Sequence, residues 1–289
     1  MHISLVCRYR LALVSLMAVG LRGAVVAVLA GVPVQAQNGF TTNGLHYRIE
    51  GHGPTVVLIH GFHMDLREWD DVVPRVVQAR RVVRYDVRGH GRSKVTAPLP
   101  SSADDLLSLL DELKIPHATL VGLSMGSNIA LDFALLHPDR VDALVLLSPG
   151  LAGIKASASL DWMQPIAAAV KSGDSTRAAE LWWEGPLLSG VRQAGRSAAR
   201  YRTVVIDNAS VWTIAAPPPQ LDPPAGKRLN EIKAPVVAVA GELDRSGSLE
   251  FARMIAEGVG RGRAVVIPGA GHMLSVEKPL EVSRLVVPD

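Results

Sequence analysis

Short apolar runs recur along this chain at residues 56–59, 82–85, 119–121, 143–147, 236–240 and 264–267. Runs of this length without a strict polar alternation predict six strands buried on both faces. Segments with helical spacing lie between them. In residues 102–113, Leu106, Leu109, Leu110 and Leu113 fall on one helical face, and residues 128–136 form a second such stretch. Strand alternating with helix predicts an α/β fold, a mostly parallel sheet with helices on both faces. Ahead of it, residues 39–49 followed by Gly51-His52-Gly53-Pro54 read as a strand pair ending in a turn.

The alternation stops between residues 151 and 228. That stretch has helical pieces, Trp162, Trp182, Trp183 and Trp212, and a proline-rich loop from Pro217 to Pro224, but no clear strand run. The simplest organisation is an α/β core made of residues 37–150 and 229–289, with residues 151–228 inserted as a helical cap over the sheet's working edge. In a chain with only 4% aromatic residues, the four cap tryptophans are candidates to line an apolar substrate pocket. Their alternative role is to pack the cap onto the core.

Charge changes the picture little once its location is known. The formal net charge is +3, but residues 1–36 contain Arg8, Arg10 and Arg22 and no acid. Beyond them, basic and acidic residues are equal at 27 each, so nucleic acid is not an implied partner. Basic residues, an apolar run over residues 23–32 and the small-residue pattern Val34-Gln35-Ala36 predict an export signal cleaved after Ala36, and so a periplasmic or secreted protein. An uncleaved anchor over residues 11–34 is the alternative, with Arg22 costly in its middle. Translation from Met17 would give a leader of more usual proportions. No stable membrane span is expected after cleavage. The only cysteine, Cys7, lies in this segment, which leaves neither a disulfide nor a thiol nucleophile for the rest of the chain.

Gly122-Leu123-Ser124-Met125-Gly126 directly follows one predicted strand and precedes a helix. A chain turning from strand to helix in so few residues leaves no room for side chains beside the turn, hence the two glycines, and the serine is held strained at its tip. A serine hydroxyl needs a base to take its proton. Of nine histidines, His272 follows the last predicted strand at its carboxyl end and is the best candidate. His46, His52, His117 and His137 are expected to face solvent. The base in turn needs a carboxylate to fix its tautomer. Gly241-Glu242-Leu243-Asp244 follows another strand; Asp244 gives the chain order serine, acid, histidine, with Glu242 as the competitor. Donors for a developing oxyanion are expected from the Met125 N–H, next to the nucleophile, and from the Phe62 N–H in His60-Gly61-Phe62.

With these pieces in place, the chain resembles the α/β-hydrolase fold superfamily in its capped serine hydrolase subgroup. The likeness rests on His60-Gly61-Phe62, the stretch from Tyr85 to Ser93, the turn at Ser124, His137-Pro138-Asp139-Arg140-Val141, Gly241-Glu242-Leu243-Asp244 and Gly271-His272, and it spans residues 41–281. It implies a serine hydrolase that cleaves a carboxylic ester or related acyl bond of a small molecule without a cofactor or metal. It also implies that Arg88, His90 and Arg92 are architectural. Some relatives carry their acid after the strand that ends here at Leu147, where this chain has Ser148-Pro149-Gly150; that departure favours Asp244. A serine at the turn argues against relatives that use aspartate there. A lactonase, a perhydrolase, a carbon–carbon bond hydrolase and a ligand receptor of the same fold remain as alternatives.

Overall fold

The computed structural model describes residues 36–155 and 157–287. The signal segment expected over residues 1–36 therefore lies outside the described residues, Ala36 apart. Among the described residues, eight strands form one sheet: β1 Gln37–Phe40, β2 His46–Glu50, β3 Thr55–Ile59, β4 Arg81–Tyr85, β5 Ala118–Leu123, β6 Val141–Leu147, β7 Val236–Gly241 and β8 Gly262–Ile267. Their order across the sheet is β1-β2-β4-β3-β5-β6-β7-β8. β2 runs antiparallel to both β1 and β4, and every other pairing is parallel. The helices are α1 Val73–Val76, α2 Ser102–Glu112, α3 Met125–Leu136, α4 Gln164–Lys171, α5 Ser175–Glu184, α6 Ser189–Arg192, α7 Arg196–Asp207, α8 Ser248–Gly258, α9 Leu274–Glu277 and α10 Pro279–Val286.

The continuous apolar runs serve two cores at once, because successive side chains of a strand point to opposite faces. In β3, Val57 and Ile59 join one layer with Leu106 and Leu109 of α2, Ile129 and Phe133 of α3, and Phe251 and Ile255 of α8. Val56 and Leu58 join the opposite layer with Val73 and Val76 of α1 and Val282 and Val286 of α10. Each fully buried Leu or Ile contributes roughly 1.5–3 kcal/mol. α2 is capped by Ser101, whose side chain accepts the Asp104 N–H, and Asp104 and Asp105 occupy its first turn, where acids complement the helix dipole.

Two expectations change here. β8 is an exposed edge strand rather than a buried one: only Ile267 is buried, and Val266 is 43% exposed. Its residues 264–267 read like those of the central strands, but β7 is its only neighbour in the sheet. His137 faces solvent only in part, its Nε2 being buried, and His46 does not face it. His46 is 4% exposed, with Nδ1 2.7 Å from Asp86 Oδ2 and Nε2 2.7 Å from Asn38 Oδ1.

Between β6 and β7 the described residues form no strand, and α4 to α7 occupy this segment. Trp183, Tyr201, Val204 and Val205 from it pack into the same core layer as Leu123 and Leu147, so the segment covers the carboxyl ends of β5 and β6. No helix of the described residues is long and apolar enough to cross a membrane.

Candidate active site

The carboxyl ends of the parallel strands carry the groups that matter, as expected for an open α/β sheet. Ser124 stands between the end of β5 and the start of α3 with φ 52° and ψ −107°. This conformation costs a non-glycine residue on the order of 1–3 kcal/mol. The geometry explains the flanking glycines. A Cβ on Gly122 would run into the Gly126 carbonyl, and one on Gly126 would run into the Ile59 carbonyl of β3. The turn is pinned further by the Ser124 N–H, which donates to Leu147 O at 2.9 Å, and by the buried Ser127 hydroxyl, which donates to Gly122 O at 2.7 Å.

His272 and Asp244 meet directly: His272 Nδ1 lies 2.8 Å from Asp244 Oδ2, and the Asp244 side chain is fully buried. Burial alone would raise the Asp244 pKa, but the hydrogen bond and charge of His272, with the Ser246 N–H at 2.9 Å, outweigh it and hold the carboxyl at about 2. An ionised Asp244 can only accept, so the hydrogen-bond network assigns the imidazole proton to Nδ1 and leaves Nε2 as the basic nitrogen. The Ser148 hydroxyl fixes the same loop by donating to His272 O at 2.6 Å. Glu242 is exposed and accepts the Gly269 N–H at 2.9 Å. Of the two candidate acids, the structure brings Asp244 to the histidine.

Phe62 and Met125 border one cavity of about 450 Å³. Among the described residues neither of their N–H groups meets a protein acceptor. Met125 opens α3, where the first N–H groups of a helix have no partner within it. The loop carrying Phe62 is held from below. His60 Nδ1–H donates to Gly61 O at 2.8 Å, and Nε2 accepts the Val87 N–H at 2.9 Å. Burial lowers the pKa of His60 and keeps it neutral. His60 thereby ties the loop after β3 to the loop after β4. In that second loop, Asp86 accepts the N–H groups of Leu66 and Arg92, both at 2.8 Å, and Arg88 is paired to Asp105 through two 2.7 Å bonds.

Glu68 was invisible in the sequence as a site residue. It is fully buried beneath the Phe62 loop; Oε2 accepts the Gly61 N–H at 2.8 Å and Oε1 accepts the Ser275 hydroxyl at 3.0 Å. It therefore links that loop to the turn just after His272. Burial raises its pKa from 4.5 to about 8, against the pull of those two donors. Between those values the native state holds a proton that the unfolded chain has released, so stability falls as pH rises through that window. Glu68→Gln is expected to flatten this dependence of stability on pH, measured by urea unfolding at several pH values. An unchanged slope would contradict the assignment. Nothing in the local pattern Leu66-Arg67-Glu68-Trp69 reveals that the carboxylate turns inward.

The cap tryptophans stand apart from the cavity: none of Trp162, Trp182, Trp183 and Trp212 lines it. Trp182 and Trp212 pack edge-to-face on the Phe62 ring, with centroids at 5.3 and 5.2 Å. Trp162 packs on Trp182 at 5.5 Å, and Trp183 belongs to the core layer under the cap. In this structure the four take their alternative role of packing: Trp182 and Trp212 back the Phe62 ring, Trp162 backs Trp182, and Trp183 joins the core. The cap walls of the cavity are instead Ala152, Val211, Ile214 and residues 217–221, facing Ile129 and Leu136 of α3. Among the described residues, no group of three His, Cys, Asp or Glu side chains is placed to hold a metal ion.

Comparison with known proteins bears on the fold and the enzyme class. Residues 54–279 match the α/β hydrolase fold family. A Bacillus subtilis (strain 168) protein, provisionally named a 2-succinyl-6-hydroxy-2,4-cyclohexadiene-1-carboxylate synthase, is 29% identical over 85% of this chain and 94% of its own length. The 2-hydroxy-6-oxo-6-phenylhexa-2,4-dienoate hydrolase of Comamonas testosteroni is 28% identical over 84% of this chain and 90% of its own. Among solved structures, the enol-lactonase from Burkholderia xenovorans LB400 superposes with a TM-score of 0.72 at 26% identity, covering 87% of this chain and 98% of that one. The strained serine turn, the mostly parallel sheet and the match over residues 54–279 together make this chain a member of the α/β hydrolase fold family, and an α/β-hydrolase enzyme.

Proposed function

We propose that this enzyme cleaves carboxylic esters of small molecules through an acyl-enzyme on Ser124, with His272 as general base and acid and Asp244 as the carboxylate that orients it. The observation that carries this reading is the convergence of three features on one sheet edge. They are a strained serine turn, a histidine whose Nδ1 is held by a buried ionised acid, and two N–H groups without protein partners on an apolar cavity. In this reading, Ser124 Oγ attacks the ester carbonyl carbon as its proton passes to His272 Nε2. The carbonyl oxygen takes the charge and is met by the Phe62 and Met125 N–H groups. The C–O bond to the alcohol then breaks, and His272 returns the proton to the departing oxygen. Water repeats the sequence to release the acid and restore Ser124.

An ester without a carboxylate is favoured over the dienoate in the name of the Comamonas relative. Among the residues lining the cavity the only permanent cation is Arg88, already held twice by Asp105. The lactone of the enol-lactonase's name is an internal ester and fits the same steps.

Turnover of 4-nitrophenyl esters of graded acyl length, followed over pH, tests the reading. Many turnovers per protein are expected. Asp244 stays ionised down to about 2, so loss of kcat/KM on mild acidification should not come from protonation of Asp244. A single turnover or none would favour a ligand receptor built on this fold.

A further inference from the structure

α3 runs from the serine turn along the cavity wall, and Met125, Asn128, Ile129, Asp132 and Leu136 all line it. Their spacing places them on one helical face. Asp132 lies eight residues beyond Ser124, about 12 Å along the helix axis at 1.5 Å per residue; Met125, next to Ser124, lines the same cavity, although Ser124 and His272 do not.

Asp132 and Asn128 bring polar side chains to this part of the cavity wall. Among the described residues, Asp132 Oδ1 and Asn128 Oδ1 are both buried without a hydrogen-bond partner. Neither of these two oxygens has surface open to the cavity, so a ligand would meet Asp132 through the rest of its side chain, which lines the wall. Other charged groups around the cavity are already committed. Arg88 and Asp105 neutralise each other, and burial lowers the His90 pKa to about 3 and keeps it uncharged. Arg228, whose field reaches Asp132, is held by Glu231 through bonds of 3.0 and 2.7 Å. The charge left over is that of Asp132, which burial raises to a pKa of about 6, so it is ionised above that pH.

We propose that Asp132, with Asn128 beside it, is a specificity site that selects substrates carrying a protonated amine at the end remote from the ester and rejects those carrying a carboxylate there. This rests on the ester-hydrolase reading above. The walls between the two ends, Ile129, Leu136, Val211, Ile214 and Leu221, are apolar and suit an alkyl or aryl spacer. An ammonium at the far end meets an unpaired carboxylate in a site of reduced dielectric, where such a pair is stronger than in water. A carboxylate there meets like charge and no free cation.

Binding without turnover isolates this selectivity. Calorimetric titration of Ser124→Ala protein at pH 8 would compare ethyl 6-aminohexanoate, ethyl heptanoate and monoethyl pimelate, which differ only in their remote group. The expected order is ammonium, then methyl, then carboxylate, with the first step at least tenfold, about 1.4 kcal/mol. Adding Asp132→Asn should reduce the ammonium advantage to less than about twofold on the same scale and relieve the carboxylate penalty, whereas Asp132→Glu should keep the order. Equal affinities in the Ser124→Ala protein, carboxylate binding tightest, or an order untouched by Asp132→Asn would overturn the proposal. Wild-type turnover of ethyl heptanoate is read separately. Selective binding without any turnover would defeat the hydrolase reading and leave the site standing, and turnover without selectivity would do the reverse.

Discussion

Ser124→Ala is expected to lower ester turnover by ~10⁴-fold or more while leaving the protein folded. The size follows from the role: without Oγ no acyl-enzyme forms, and what remains is the modest help of the oxyanion donors and of binding. Stability should barely move. The Ser124 hydroxyl makes no capping hydrogen bond to α3, and alanine keeps the Cβ, so the strain at φ 52° is the same in both proteins. Changes of this kind lie within about 0.5 kcal/mol. Circular dichroism and a urea melt beside the kinetic assay separate lost chemistry from lost structure. Full activity in a preparation free of wild-type protein would end the acyl-enzyme account.

Asp244→Asn is the second large effect, expected at ~10³–10⁴-fold in kcat. The amide can present its NH₂ to His272 Nδ1, which then has to accept, and the proton moves to Nε2, the nitrogen that should take the Ser124 proton. The imidazolium formed during attack also loses its counter-charge. Glu242→Gln provides the contrast. Glu242 is exposed and binds the Gly269 N–H, a bond the amide oxygen of glutamine can also accept, so its turnover should stay within about threefold of wild type. Rates measured side by side at one pH decide between the two acids, and the reverse ranking would move the acid to Glu242.

Sequence carried the parts of the fold that depend on period and punctuation. The apolar runs marked β3 to β7, the leucine spacing marked α2, and the Gly-x-Ser-x-Gly turn was legible because two backbone collisions demand glycine at positions 122 and 126. What depends on direction or on distant neighbours was not legible. Residues 264–267 read like a central strand because edge position is a property of the whole sheet, not of the run itself. The cap tryptophans signalled an apolar surface, yet composition does not say whether a ring faces a cavity or the back of Phe62. His46 passed for a surface residue because its partner, Asp86, is forty positions away. Glu68 and Asp132 were missed for a related reason. An acid in an amphipathic or irregular stretch is by default solvated; only the packing of Gly61 and Ser275 buries Glu68, and only the cavity beside α3 gives Asp132 a half-buried place on its wall. For Asp132 the sequence did hold a faint signal: it shares a helical face with Met125 and Ile129, the face that begins at the nucleophile.

Acid-quenching the wild-type protein during steady turnover of 4-nitrophenyl butyrate, followed by peptide mass mapping, tests the central claim most directly. Quenching freezes whatever covalent intermediate the enzyme holds. The account predicts a peptide containing Ser124 heavier by one butyryl group, absent before substrate is added and absent from Ser124→Ala protein. A butyryl group on another residue, or sustained turnover with no acylated peptide and no loss of rate in Ser124→Ala, would contradict it.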